Sequence, residues 1–178
     1  MIPLYILGLL QRFGPQHGYQ IKKIITEQLA DFTRIKLPTI YYHLEKMKTE
    51  GLLEASNEKP GSRPEKTVYA VTETGKSAFL GMLEKLLHFD YHPVFPEDGI
   101  FYFSEYLDSE KIAKSLQSHI EDSQRVITYL KKHRDETMKI VPEESQSMVS
   151  IIFNHHLRHY QAELAWAKET ITLLRPAN

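Results

Sequence analysis

At 178 residues, 25% charged and 42% hydrophobic with 8 glycines and 9 prolines, the chain is long enough for one domain or two small ones and is neither collagen-like nor low-complexity. It contains no cysteine, which excludes disulfides, thiol nucleophiles, thiol redox sensing and cysteine-ligated zinc. The formal net charge of −1 hides an asymmetry: residues 1–85 hold 12 Lys and Arg against 9 Asp and Glu, net +3, and residues 86–178 hold 10 against 14, net −4, so a polyanion is expected to meet the N-terminal half.

The opening MIPLYILGLL is apolar but is cut off by Gln11, Arg12 and Phe13-Gly14-Pro15, and it has neither a basic leader nor a small-residue cleavage site. No apolar run approaches the roughly 20 residues of a spanning helix. A soluble cytoplasmic protein with no membrane partner is expected. Residues 4–13 predict a helix apolar on nearly every side (Leu4, Tyr5, Ile6, Leu7, Leu9, Leu10), which must be buried on more than one side. A second helix runs from Gly18 to about Ala30, with Ile21, Ile24 and Ile25 as its buried stripe. A third runs from Pro38, pre-set for the first helical position, to Glu50, and Gly51 stops it.

Leu52–Asn57 and Lys66–Val71 are strand-like, and the turn-rich, basic KPGSRPE between them makes a β-hairpin with a flexible tip. Thr72 caps a fourth helix to about Phe89. His92-Pro93-Val94-Phe95-Pro96 reads as a linker, followed by a short aromatic helix containing Ile100, Phe101, Phe103, Tyr106 and Leu107. Asp108 or Ser109 caps a long helix to about Lys139, with Ile112, Leu116, Ile120, Ile127 and Leu130 on one side, and Pro142 breaks it. The last helix, from about Glu144 to Leu174, carries Phe153, Leu157, Tyr160, Leu164, Ala167, Ile171 and Leu174 at heptad spacing. A second stripe holds Met148, Ile152, His155, His159, Ala162 and Trp166. Two stripes require two partners, the preceding helix and a second copy of the chain. The domains are therefore expected at 1–88, with a linker and aromatic helix at 89–107 and a helical dimerisation domain at 108–178.

The third helix is the most informative segment. Ile40, Leu44 and Met47 fall within about 60° of one another and face the core. Opposite lie Thr39, Tyr42, Lys46 and Thr49, with Tyr41 and His43 at the edges. Hydroxyls, an imidazole and an ammonium without a central carboxylate suit phosphates and base edges in a major groove. An ordinary solvated face would look similar, but the neighbouring hairpin adds Lys59, Arg63 and Lys66 at a tip that could reach a flanking phosphate or minor groove. Three helices followed by a basic hairpin are more specific than either part.

Gln16-His17-Gly18-Tyr19-Gln20-Ile21, then LPTIYYHLEKMKTEGLL from residue 37, then Arg63-Pro64 and Thr67-Val68-Tyr69-Ala70-Val71-Thr72-Glu73-Thr74-Gly75 resemble the PadR family of bacterial transcriptional regulators. Thr39, Tyr41, Leu44, Met47, Gly51, Leu52, Thr72 and Gly75 fit that pattern by position, and Pro38 stands where the family usually has glycine. The resemblance covers about residues 3–80, and the tail HHLRHYQAELAWAKETI is similar, less specifically, to the family's last helix. It implies a mostly α protein with a small β-hairpin: an N-terminal winged helix-turn-helix and a C-terminal antiparallel helical dimerisation domain. It further implies a homodimer on a palindromic operator in double-stranded DNA, usually repressing. Leu4 and Leu7 of the first helix, with Leu157, Tyr160, Leu164, Ile171 and Leu174 of the last, are the expected dimer contacts. Effectors in the family are diverse, phenolic acids among them, so no particular one carries over.

Three other readings compete. Nine histidines, with His155 and His159 four apart and His156, His88 and His92 as further candidates, raise a metal-sensing regulator, but H-E-x-x-H is absent and no carboxylate lies within a turn on that strip, so no metal or cofactor is expected. Catalysis is not expected: there is no G-x-S-x-G, P-loop or G-x-G-x-x-G, and Glu143-Glu144 and Glu97-Asp98 look like helix-start charges. A winged-helix interaction module that has lost its DNA face is the third, and the basic hairpin argues against it. Trp166 and Phe101 could line an effector cavity, or be aromatic core.

Overall fold

The computed structural model describes residues 1–28, 37–58 and 66–174. The chain folds as two compact units, Met1–His92 and Pro93–Asn178.

The first unit is built around α1 (Ile2–Phe13), whose Ile6, Leu7, Leu9 and Leu10 sit in one core with Ile21, Ile24 and Ile25 of α2 (Gly18–Gln28), and Ile40, Leu44 and Met47 of α3 (Leu37–Thr49). Strands β2 (Leu53–Glu58) and β3 (Lys66–Val71) supply Leu53 and Tyr69 to the same core. An all-round apolar helix was expected to need a second chain. Within the unit α4 (Glu73–Lys85) folds back over α1, with Phe79 against Gly8, while Ile2, Pro3 and Tyr5 stay partly exposed. Leu4 and Leu7 are buried within the unit.

The hairpin is joined by a third, two-residue strand, β1 (Gln16–His17), giving an antiparallel sheet in the order β1-β3-β2. Gln16 pairs with Tyr69 on one edge of β3, and Ala55 pairs with Tyr69 on the other. A two-residue strand carries no alternation and is invisible to pattern. It exists because the free edge of β3 offers backbone groups that would otherwise go unpaired.

Helix ends follow local chemistry. Gly51 (φ 72°) closes α3, its N–H bonding to Lys48 O at 3.1 Å and the Leu52 N–H to Met47 O at 2.9 Å, so the last carbonyls are satisfied through a left-handed residue. The Thr72 hydroxyl accepts from the Gly75 N–H at 3.0 Å and caps α4 as expected. That helix stops at Lys85, short of Phe89, because among the described residues nothing covers the next turn: Leu87 and Phe89 are exposed.

In the second unit a short α5 (Asp98–Tyr102) and a 3-10 turn (Ser104–Tyr106) precede two long helices, α6 (Ser109–Thr137) and α7 (Glu143–Leu174). Asp108 caps α6 by accepting from the Glu110 N–H at 2.9 Å. The long helices form an antiparallel pair: Ile112, Leu116 and Ile120 meet Ala167 and Ile171 near one end, and Ile127 and Leu130 meet Leu157 further along. Ser123 fills the gap in the α6 stripe and is buried. The Gln146 amide reaches back to Met138 O and Val141 O, both at 3.3 Å, and ties the turn at Pro142.

Candidate nucleic-acid interface

The core of the first unit fixes which side of α3 is outward. Ile40, Leu44 and Met47 are almost wholly buried, and Tyr42, at 62% exposure, points away from them with Lys46. Lys46 lies 3.8 Å from Glu50, an exposed pair of the kind worth little in water, so its ammonium can exchange that partner for a phosphate or a base edge. Thr39 is half-buried at the start of the helix. His43 is also half-buried: burial first, and the neighbouring Lys46 second, hold its pKa below the ordinary imidazole range. It is therefore neutral at pH 7, packed edge-to-face with Tyr42 at 5.2 Å, and it offers a hydrogen bond rather than a charge.

Tyr41 takes an intermediate position. Its ring lies over the start of α2 so closely that a Cβ on residue 18 would stand 2.6 Å from it, so any larger residue there would displace the ring. Beside that contact is a depression of about 490 Å³ lined by His17, Gly18, Tyr19, Tyr41, Lys66 and Tyr69, among others. The first residues of α2, Tyr41 and Lys66 thus share one concavity, and a helix start beside an ammonium suits an anionic oxygen. Lys66 is the wing cation that lies within the described residues; Lys59 and Arg63 lie outside them.

One pair was not foreseen. The Tyr69 hydroxyl donates to Glu45 Oε1 at 2.7 Å, tying the flank of α3 to the central strand. That bond is the main reason the Glu45 carboxyl sits below its usual pKa, and burial together with the same carboxylate raises that of Tyr69. Sequence placed Tyr69 on an alternating strand and Glu45 off the buried stripe. It contained no sign that a hydroxyl and a carboxylate so far apart in the chain meet.

In the second unit Phe101 of α5 meets Trp166 of α7 edge-to-face, with centroids 5.7 Å apart, and both line a cavity of about 590 Å³. The heptad residues Leu157, Tyr160, Leu164, Ile171 and Leu174, expected at a dimer interface, pack within the unit around α6. The stripe left uncovered on α7 is Met148, Ile152, His155 and His159, with Ile152 40% exposed. His155 and His159 bring their Nε2 atoms to 3.1 Å of each other. Among the described residues no group of three or more His, Asp or Glu could hold a metal ion. No helix among them is long and apolar enough to cross a membrane.

Comparison with known proteins agrees with this geometry. Residues 6–80 match the transcriptional regulator PadR-like family, and residues 101–175 match the family described as virulence activator alpha C-term. A stretch of 71 residues is 37% identical to the negative transcriptional regulator PadR of Bacillus subtilis; it spans 40% of this chain and 38% of that relative, well under two thirds of its length. Among solved structures, the Vibrio cholerae virulence activator AphA superposes with a TM-score of 0.78 at 20% identity, over 98% of both chains. Bacillus subtilis PadR in complex with operator DNA gives 0.76 at 20% identity, over 97% of this chain and 98% of that one. The same protein in complex with p-coumaric acid gives 0.73 at 20% identity, over 98% and 99%. At this identity the shared property is the fold, a winged helix-turn-helix followed by a helical unit.

Proposed function

We propose, from the match of residues 6–80 to the transcriptional regulator PadR-like family, that the chain is a sequence-specific DNA-binding repressor. It acts as a homodimer on a palindromic operator and is released by a small molecule held in its second unit. Helix α3 enters the major groove, with Tyr42 and Lys46 toward base edges and Thr39 and His43 as neutral hydrogen-bonding groups beside them. The concavity formed by the start of α2, Tyr41 and Lys66 takes a backbone phosphate, and Lys59 and Arg63 of the wing reach flanking phosphates.

The observation that carries the reading is the division of α3 into a buried Ile40, Leu44 and Met47 side and an outward Tyr42 and Lys46 side, adjoining a cationic concavity. The uncovered α7 stripe supports the dimer, and the cavity at Phe101 and Trp166 supports the small-molecule ligand. Fluorescence anisotropy on an inverted repeat from the DNA beside the chain's own coding region tests it. Lys66→Ala and Arg63→Ala should each weaken binding to all sequences and flatten the salt dependence by about one unit of slope. An altered sequence preference at unchanged slope would refute the phosphate assignment, and no binding to any duplex would refute the function.

A further inference from the structure

The cavity in the second unit has a definite chemical character. Its apolar wall includes Ile112 and Leu116 of α6 and the edge-to-face rings of Phe101 and Trp166. Its carboxylates are Glu97 and Asp98 at the start of α5 and Glu163 on α7, with Ser115 a further polar group. His119 stands beside Glu163, with Nε2 3.1 Å from Oε1, so one imidazole accompanies three carboxylates. Among the described residues, no lysine or arginine lines the cavity.

Two consequences follow from charge and aromaticity. An aromatic acid placed here would have its carboxylate among like charges with no guanidinium or ammonium to receive it. A cation, by contrast, meets carboxylates at the rim and aromatic rings within, and its apolar body covers the isoleucine and leucine wall. At about 590 Å³ the space lies within the usual range of small-molecule sites. We propose that this cavity binds lipophilic cations: an ammonium or phosphonium centre carried on an aromatic or branched apolar body. The inference names the ligand class for the release step proposed above, and it rests on that reading only for the effect on DNA.

Trp166 is the single tryptophan of the chain and lines the cavity, so its emission reports occupancy directly. The full-length protein is titrated with tetraphenylphosphonium and with tetraphenylborate, which match in shape and differ in sign. Saturable change in Trp166 emission is expected with the cation, at a Kd lower than the anion's by about tenfold or more, as a few half-screened charges would give. Asp98→Asn with Glu163→Gln, near-isosteric changes checked by circular dichroism, should close most of that gap. Equal affinity for the two ions, preference for the borate, or no saturable change in the wild-type protein would overturn the proposal. A labelled operator in the same titration separates the two readings. Cation binding that leaves operator affinity untouched upholds the cavity's chemistry and refutes the release step, whereas intact operator binding with no cation response refutes the cavity's chemistry alone.

Discussion

Tyr69→Phe removes one hydroxyl and with it the bond to Glu45 that joins α3 to β3. A hydrogen bond to an ionised acceptor is worth about 1.5–3 kcal/mol, but the Glu45 side chain is 60% exposed and water replaces the lost donor, so about 1 kcal/mol is expected. The ring stays, and Phe leaves no unpaired donor behind at a position only 5% exposed, so no cavity cost is added. The pH dependence has a fixed sign. The Glu45 carboxyl titrates below its ordinary value of 4.5 in the folded chain, chiefly because Tyr69 donates to the carboxylate. Its stabilising contribution is therefore complete above that ordinary value and disappears as pH falls through the lower folded-state value. Urea unfolding followed by circular dichroism should show Tyr69→Phe less stable than wild type at neutral pH, with the difference shrinking in acid. Glu45→Gln keeps an acceptor and should lose less than Glu45→Ala. A penalty unchanged in acid would show that the carboxylate's charge is not its source, and none at neutral pH would show that the bond contributes nothing to holding α3 on the sheet.

The two sides of α3 should separate cleanly in mutation. Tyr42→Ala and Lys46→Ala should reduce specific DNA binding by about 1–3 kcal/mol while stability stays within about 0.5 kcal/mol of wild type; Leu44→Ala should cost about 2–5 kcal/mol of stability by opening the core. The reverse pattern in calorimetry and anisotropy would mean that another face of α3 meets DNA. Ile152→Glu, in the uncovered stripe of α7, should convert a dimer to a monomer in analytical ultracentrifugation with helicity unchanged, and an unaltered dimer would place the interface elsewhere.

Periodicity located the helices because each buries one strip against one core: Ile40, Leu44 and Met47 were readable from spacing, as were the capping roles of Thr72 and Asp108. Spacing does not encode which partner covers an apolar side. The first helix is hydrophobic on most sides, and the return of Phe79 onto Gly8 is a long-range contact that spacing does not show. The α7 seam was likewise legible as a seam, while its occupation by α6 rather than a second copy depends on the antiparallel register of the pair. Among the interface residues, Tyr42 and Lys46 were placed by helical phase alone. The α2 corner with Tyr41 and Lys66, and the bond between Tyr69 and Glu45, required long-range proximity that spacing does not encode.

The short strand β1 runs into α2 without a spare residue, and β3 is paired on both edges at Val68 and Tyr69. This gives the first unit unequal tolerance to insertions and deletions. One residue added between His17 and Gly18 would turn α2 by about 100° and carry Ile21, Ile24 and Ile25 off the core. Residues added within 59–65 fall between Glu58 and Lys66, which are already paired in their own ladder, and doubling the length of a connecting segment costs only about 0.6 kcal/mol. Additions to the stretch that carries Lys59 and Arg63 therefore cost this unit less than additions at the start of α2, which has to stay in register with the core.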